Sequence, residues 1–139
     1  MADVPKYLMF SSAIIVLLLG SLHLIYTFFG PKFRPRDAKL EESMRLVSPV
    51  ISRETTMWRA WVGFNASHSF GAMLFGLIYG YLALAHSTLL LGSGFLLAVG
   101  LVLLIGYTLL AKAYWFSIPF RGISLSLALY IGSIAASFV

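Results

Sequence analysis

"MWRAWVGFNASHSFGAMLFGLIYG", Met57–Gly80, decides how this chain folds. Its length and apolar content suit a helix in hydrocarbon, yet it holds Arg59, Asn65 and His68. Polar groups without partners are strongly disfavoured in lipid, so the segment must turn them toward protein or toward the headgroups. On a helix advancing about 100° per residue, Trp61, Asn65, His68, Ala72, Phe75 and Tyr79 share one face. Gly63, Ser67 and Gly71 share roughly the opposite face, where small side chains permit close backbone approach. The expectation is a span with a polar face toward a bundle interior and a second face for packing. Arg59 lies within a turn of the span's beginning, where its long side chain can reach lipid phosphates or an anionic group at a pocket mouth.

The surrounding sequence extends this pattern. Apolar runs at Tyr7–Phe29, Ala60–Ala85, Leu89–Ala111 and Gly122–Val139 each come near the roughly 20 residues that cross a hydrocarbon core. Of the 139 residues, 60% are hydrophobic and 11% charged, against about 25% charged in a soluble domain. The spacing predicts an all-α polytopic membrane protein: one four-helix transmembrane domain over residues 1–139, its helices near 7–29, 54–85, 88–112 and 118–138, arranged up and down. A β-barrel would need short alternating strands, and the sequence has none. The first run is longer than a signal-peptide core and is preceded by Lys6 alone, so it is expected to remain as a span. Cysteine is absent, which removes disulfides, thiolate nucleophiles and cysteine-ligated metals.

Nine of the ten Lys and Arg residues fall on one side of this topology: Lys32, Arg34, Arg36, Lys39, Arg45, Arg53 and Arg59 around the first loop, Lys112 and Arg121 around the third. The other side has Lys6. By the positive-inside rule, loops 30–57 and 112–121 are expected in the cytoplasm, with both termini and the "AHST" turn (residues 85–88) outside. The net charge of +5 is then topological and suits anionic headgroups. Nothing points to nucleic acid.

The first loop, "GPKFRPRDAKLEESMRLVSPVISRETT" (residues 30–56), is long for a helix connection. Leu40, Met44, Val47 and Ile51 recur at helical spacing, so an amphipathic segment is expected there, interrupted near Pro49. It reads either as a lid over a pocket or as a packed connector. Ser52, Ser87 and Ser117 are candidate N-caps for the second, third and fourth helices. Trp58, Trp61, Tyr114 and Trp115 fit an interfacial aromatic belt.

His23 and His68 are the buried ionisable residues to explain. His23 lies about six residues inside Phe29, roughly 9 Å deep, and His68 about ten residues inside Trp58, roughly 15 Å deep. Consecutive helices are usually neighbours, so His23, Asn65 and His68 are expected to meet. Two readings stand open: a ligand site, or an interhelical hydrogen bond contributing about 1 kcal/mol. The spans contain no carboxylate, which argues against a proton relay or cation pathway. His86 sits in the outer turn. "Asn65-Ala66-Ser67" matches a glycosylation sequon, but it lies within a span. Gly76-x-x-x-Gly80 and Ser124-x-x-x-Ala128-x-x-x-Gly132-x-x-x-Ala136 add small-residue stripes. With the Gly63 stripe they lead to an expected homo-oligomer or a subunit of a larger membrane complex.

The layout resembles the MAPEG family of membrane-associated proteins in eicosanoid and glutathione metabolism. "RAWVGFNASH" offers Arg59-Ala60 and then Asn65, and "SIPFRG" offers Pro119 and Arg121, similar to that family's Arg-Ala…Asn and Pro/Arg motifs. The resemblance implies a trimer that binds glutathione and catalyses conjugation or isomerisation. Three functional expectations follow. The first is a small-molecule or lipophile site in the cytoplasmic half, with Arg59, Asn65, His68, His23, Arg121 and Trp61 as ligand-binding candidates, no metal, and glutathione as the cofactor that the resemblance implies. The second is an accessory or assembly subunit without catalysis. The third is a haem b electron-transfer protein with His23 and His68 as axial ligands.

Overall fold

A computed structural model describes residues 3–138; the extreme termini, including Val139 at the end of the last apolar run, lie outside the described residues. Its elements are helices α1 (Val4–Phe28), α2 (Ala38–Leu46), α3 (Met57–Ala85), α4 (Ser87–Gly92), α5 (Gly94–Tyr114) and α6 (Ser117–Ala136), with no strand among the described residues. Four of them, α1, α3, α5 and α6, are long and apolar enough to cross a membrane. That composition makes the chain a multi-pass membrane protein.

Contacts divide the chain into two compact units, residues 1–19 with 72–139 and residues 20–71. In the first, Met9, Ala13 and Val16 of α1 are buried, as are Ala72, Phe75, Tyr79 and Ala83 of α3, Leu104 of α5, and Ile123 and Tyr130 of α6. The buried positions of α1 and α3 recur at three or four residues, as do Ile123, Ser126, Tyr130 and Ser133 of α6, so each of these helices gives one face to the core. A Cβ added at Gly76 would lie 2.6 Å from Leu17 Cβ and 2.8 Å from the Ala13 carbonyl oxygen. Glycine is therefore what lets α3 and α1 meet at backbone distance. Ser12 Oγ donates to the Ser126 carbonyl at 2.8 Å, and Ser126 Oγ donates to the Ser12 carbonyl at 3.0 Å. Ser133 Oγ donates to the Pro5 carbonyl at 2.6 Å. Position thus rises along α1 as it falls along α6. Tyr79 Oη and Tyr130 Oη donate to the carbonyls of Leu96 and Leu97, at 2.6 and 3.0 Å. Both rings press on Gly100, where a Cβ would collide with them. These polar contacts satisfy every hydroxyl they use, as burial in an apolar medium requires.

Three cap assignments differ from the sequence expectation. Helix α3 starts at Met57 rather than near residue 54, and Thr56 Oγ1, not Ser52, accepts from the Arg59 amide at 3.3 Å. Ser52 instead accepts from the Glu54 amide within its own turn, 3.1 Å away. The third apolar run is broken: Ser93, flanked by Gly92 and Gly94, is extended and caps α5 by accepting from Leu96 N. Ser87 is the first residue of the short α4, and Ser117 is the first residue of α6, each one position past the cap. Pro119 occupies the first turn of α6, where its missing N–H costs nothing.

In the second unit, α1 ends at Phe28 and Gly30 turns the chain with a φ of +88°, a left-handed conformation that favours glycine. Asp37 Oδ1 accepts from the Lys39 amide at 2.9 Å and opens α2. The nine residues of α2 are too few to hold a helix alone. Arg45 supports it by bonding Glu41 at 2.7 Å, one turn back, and by lying over the Trp58 ring at 4.4 Å. The Met57 amide donates to the Val47 carbonyl at 2.8 Å. Helix α2 stops at Leu46, three residues before Pro49. Of the expected apolar stripe, Met44 is half-buried, while Leu40, Val47 and Ile51 are exposed.

Candidate functional site

The polar residues of the second unit form a connected set on α1 and α3. Asn65 Nδ2 donates to the Trp61 carbonyl at 2.8 Å, one turn back on α3. A carbonyl oxygen can only accept, so this bond fixes which end of the amide is nitrogen. Asn65 Oδ1 therefore faces His23 Nε2, 2.9 Å away, and an amide oxygen also only accepts. His23 must carry its proton on Nε2 and donate it. The His23 ring also lies 4.5 Å from the Phe33 ring and 5.2 Å from the His68 ring, the latter edge to face. Thr27 Oγ1 donates to the His23 carbonyl at 2.8 Å, and Ser69 Oγ to the Asn65 carbonyl at 2.9 Å. Trp61 Nε1 donates to the Phe33 carbonyl at 3.0 Å, tying the post-α1 loop to α3.

Beside this set lies a cavity of about 220 Å³. Tyr26, Thr27 and Phe28 of α1, Phe33 and Arg34 of the loop, Arg45 of α2, and Trp58, Trp61, Val62 and Asn65 of α3 line it. The ingredients are two guanidinium groups, several aromatic rings and an oriented amide. Arg45 shares its charge with Glu41. Arg34 forms no ion pair among the described residues, so its charge is available to a ligand. Lys32 lies over the Tyr26 ring at 4.2 Å and adds positive charge nearby. Such a lining favours an anion by Coulomb attraction and fork-shaped hydrogen bonding. Aromatic faces supply apolar contact for the rest of a ligand. A second, more open hollow of about 360 Å³ is lined by Phe28, Trp58, Arg59, Val62, Gly63 and Ala66.

Of the residues named from the sequence, Asn65 and Trp61 line the cavity. His23 stands one hydrogen bond behind Asn65, and His68 stands one ring behind His23; neither lines a hollow. Arg59 lines the second hollow. Arg121 is exposed on α6, in the other unit, and lines neither. Arg34 and Arg45 were not singled out by sequence reasoning. Arg45 carried a signal, since Glu41 four residues earlier makes it the partner of a helical ion pair. Arg34, between Phe33 and Pro35, carried none.

A haem held between two axial imidazoles needs both ring nitrogens aimed at one iron from opposite faces of the macrocycle. His23 and His68 meet edge to face at 5.2 Å, and His23 Nε2 is committed to Asn65. The pair does not fit a haem. No group of three or more His, Cys, Asp or Glu among the described residues could hold a metal ion.

No family model, curated relative or solved structure matches the chain.

Proposed function

We propose that this multi-pass membrane protein binds a small anionic molecule in the cavity beside α3. The four spans run up and down, with loops 30–57 and 112–121 in the cytoplasm and both termini outside. This places the cavity in the cytoplasmic half at headgroup depth. The observation that carries the reading is the joint lining of the cavity by Arg34, Arg45, Trp58, Trp61 and Asn65. Asn65 presents an amide locked by His23 and the Trp61 carbonyl, so the two histidines act as positioning residues. Glutathione, the cofactor implied by the MAPEG resemblance, is one ligand of this class. Cationic surroundings would favour its thiolate and hence conjugation chemistry. Whether the protein is an enzyme rests on that ligand.

The test is thermal unfolding of purified protein in mild detergent with glutathione, methyl phosphate and a neutral analogue of each. Anion binding at 100 times the dissociation constant stabilises the fold by about 2.7 kcal/mol. The reading expects a rise in Tm with at least one anion, none with the neutral analogues, and loss of the rise in Arg34→Gln. Equal responses to anionic and neutral compounds would overturn it.

Self-association is a second reading. Gly63, Ser67 and Gly71 are all exposed, and a Cβ at Gly63 would meet nothing within 4 Å. A second copy, or another subunit of a membrane complex, could pack there.

A further inference from the structure

The cavity and the open hollow share three walls, Phe28, Trp58 and Val62. They differ in character. The cavity carries Arg34, Arg45 and Asn65. Apart from Arg59, the hollow is built from Phe28, Trp58, Val62, Gly63 and Ala66. Residues 59, 62, 63 and 66 recur at three and four, so they form one face of α3. Gly63 leaves that face open, because its missing side chain is replaced by no neighbour. The cavity alone, about 220 Å³, is smaller than the roughly 300 Å³ at which small-molecule pockets usually begin. It suits a headgroup better than a whole ligand, and the shared walls continue into the apolar hollow.

From this juxtaposition, and resting on the anion-binding reading above, we infer that the ligand is an anionic amphiphile with one acyl or alkyl chain. Its phosphate or carboxylate sits among Arg34, Arg45 and Asn65, and its chain lies along Val62, Gly63 and Ala66. Charge selects the head. Lipid and protein are equally apolar to the chain, so hydrophobic transfer adds little within a bilayer. The hollow therefore sets shape and direction, admitting a single slender chain past Gly63. Arg59, which lines the hollow, offers a third positive charge to a larger head.

The experiment uses the full chain in phosphatidylcholine nanodiscs with dodecyl phosphate carrying a photoreactive diazirine in its chain. Dodecanol with the same diazirine is the control for annular lipid. Peptide mapping is expected to find labelling by the phosphate probe concentrated on Phe28, Val62 and Ala66. It should exceed labelling at Val102 and Leu109, exposed apolar positions on α5, several-fold. Excess methyl phosphate should displace it, and dodecanol should show no such preference. Gly63→Leu should abolish the concentrated labelling and leave the thermal response to methyl phosphate intact. Labelling spread evenly over Val102, Leu109 and the α3 positions would overturn the inference while methyl phosphate binding kept the anion site standing. Absence of any methyl phosphate or dodecyl phosphate response would overturn both. If Gly63→Leu alters the oligomeric state and leaves labelling unchanged, the face belongs to a second copy and the chain path is wrong. The wild-type labelling pattern decides the question even if Gly63→Leu fails to fold.

Discussion

Placing alanine at Gly76 and at Gly63, two glycines on the same helix, should have opposite consequences. At Gly76 an added Cβ would meet Leu17 Cβ at 2.6 Å, the Ala13 carbonyl oxygen at 2.8 Å and Leu17 Cα at 2.9 Å. Ordinary contact between such atoms is about 3.5–4.0 Å, so α1 and α3 must part by roughly 1 Å. The obstacles are backbone atoms and a Cβ, which no rotamer change removes. Overpacking of this kind costs about 1–3 kcal/mol, against a gain of up to about 1 kcal/mol for replacing glycine in a helix. With the full gain deducted, Gly76→Ala should still be destabilised, by up to about 2 kcal/mol. At Gly63 nothing lies within 4 Å of the added Cβ, so only the helix-propensity gain remains and Gly63→Ala should be neutral or slightly stabilised. Thermal unfolding in mild detergent, followed by far-ultraviolet circular dichroism, reads the contrast as a few degrees of Tm, at about 2–8 °C per kcal/mol for domains of this general size. Equal Tm values for the two variants would refute the reasoning, because they would mean that α1 does not press on α3 at Gly76.

Other expectations concern the buried polar contacts and the topology. Ser126→Ala removes one arm of the reciprocal bond with Ser12 and should lower stability by about 0.5–1.5 kcal/mol; a double-mutant cycle with Ser12→Ala should show coupling, and strict additivity would mean the hydroxyls act independently. Asn65→Leu leaves the His23 Nε2 proton without its acceptor, at a cost of about 1–3 kcal/mol, and should also weaken anion binding; a variant with unchanged stability and binding would show that the His23–Asn65 bond supports neither. A reporter fused after the last helix should report an external C-terminus, and a cytoplasmic signal would invert the charge-based orientation.

The spans were legible because their signal is mere length of apolar sequence. The face of α3 that joins Asn65 to His23 was also legible, since a 100° step per residue places side chains without knowledge of neighbours. The break at Ser93 was hidden by its surroundings: Leu89–Ala111 is otherwise almost wholly apolar, and Gly92-Ser93-Gly94 interrupts it too briefly to change its hydropathy. The caps at Ser52, Ser87 and Ser117 misled for a related reason, because a serine near a helix start can as well be the first helical residue or bond within its own turn. Arg34 and Arg45 were lost among other basic residues. Only the path of the chain after Gly30, fixed by the Trp61–Phe33 bond, and the stacking of Arg45 on Trp58 bring them to one cavity. Those are tertiary facts with no local pattern.

Titration of methyl phosphate against the protein in phosphatidylcholine nanodiscs, in wild type and in Arg34→Gln, tests most directly whether the cavity is an anion site. A hydrogen bond to a charged group contributes about 1.5–3 kcal/mol, so Arg34→Gln should raise the dissociation constant at least about tenfold. Because the attraction is electrostatic, raising the salt should weaken wild-type binding more than that of the variant. Wild-type binding that is equally strong in Arg34→Gln and indifferent to salt would contradict an anion site in the cavity.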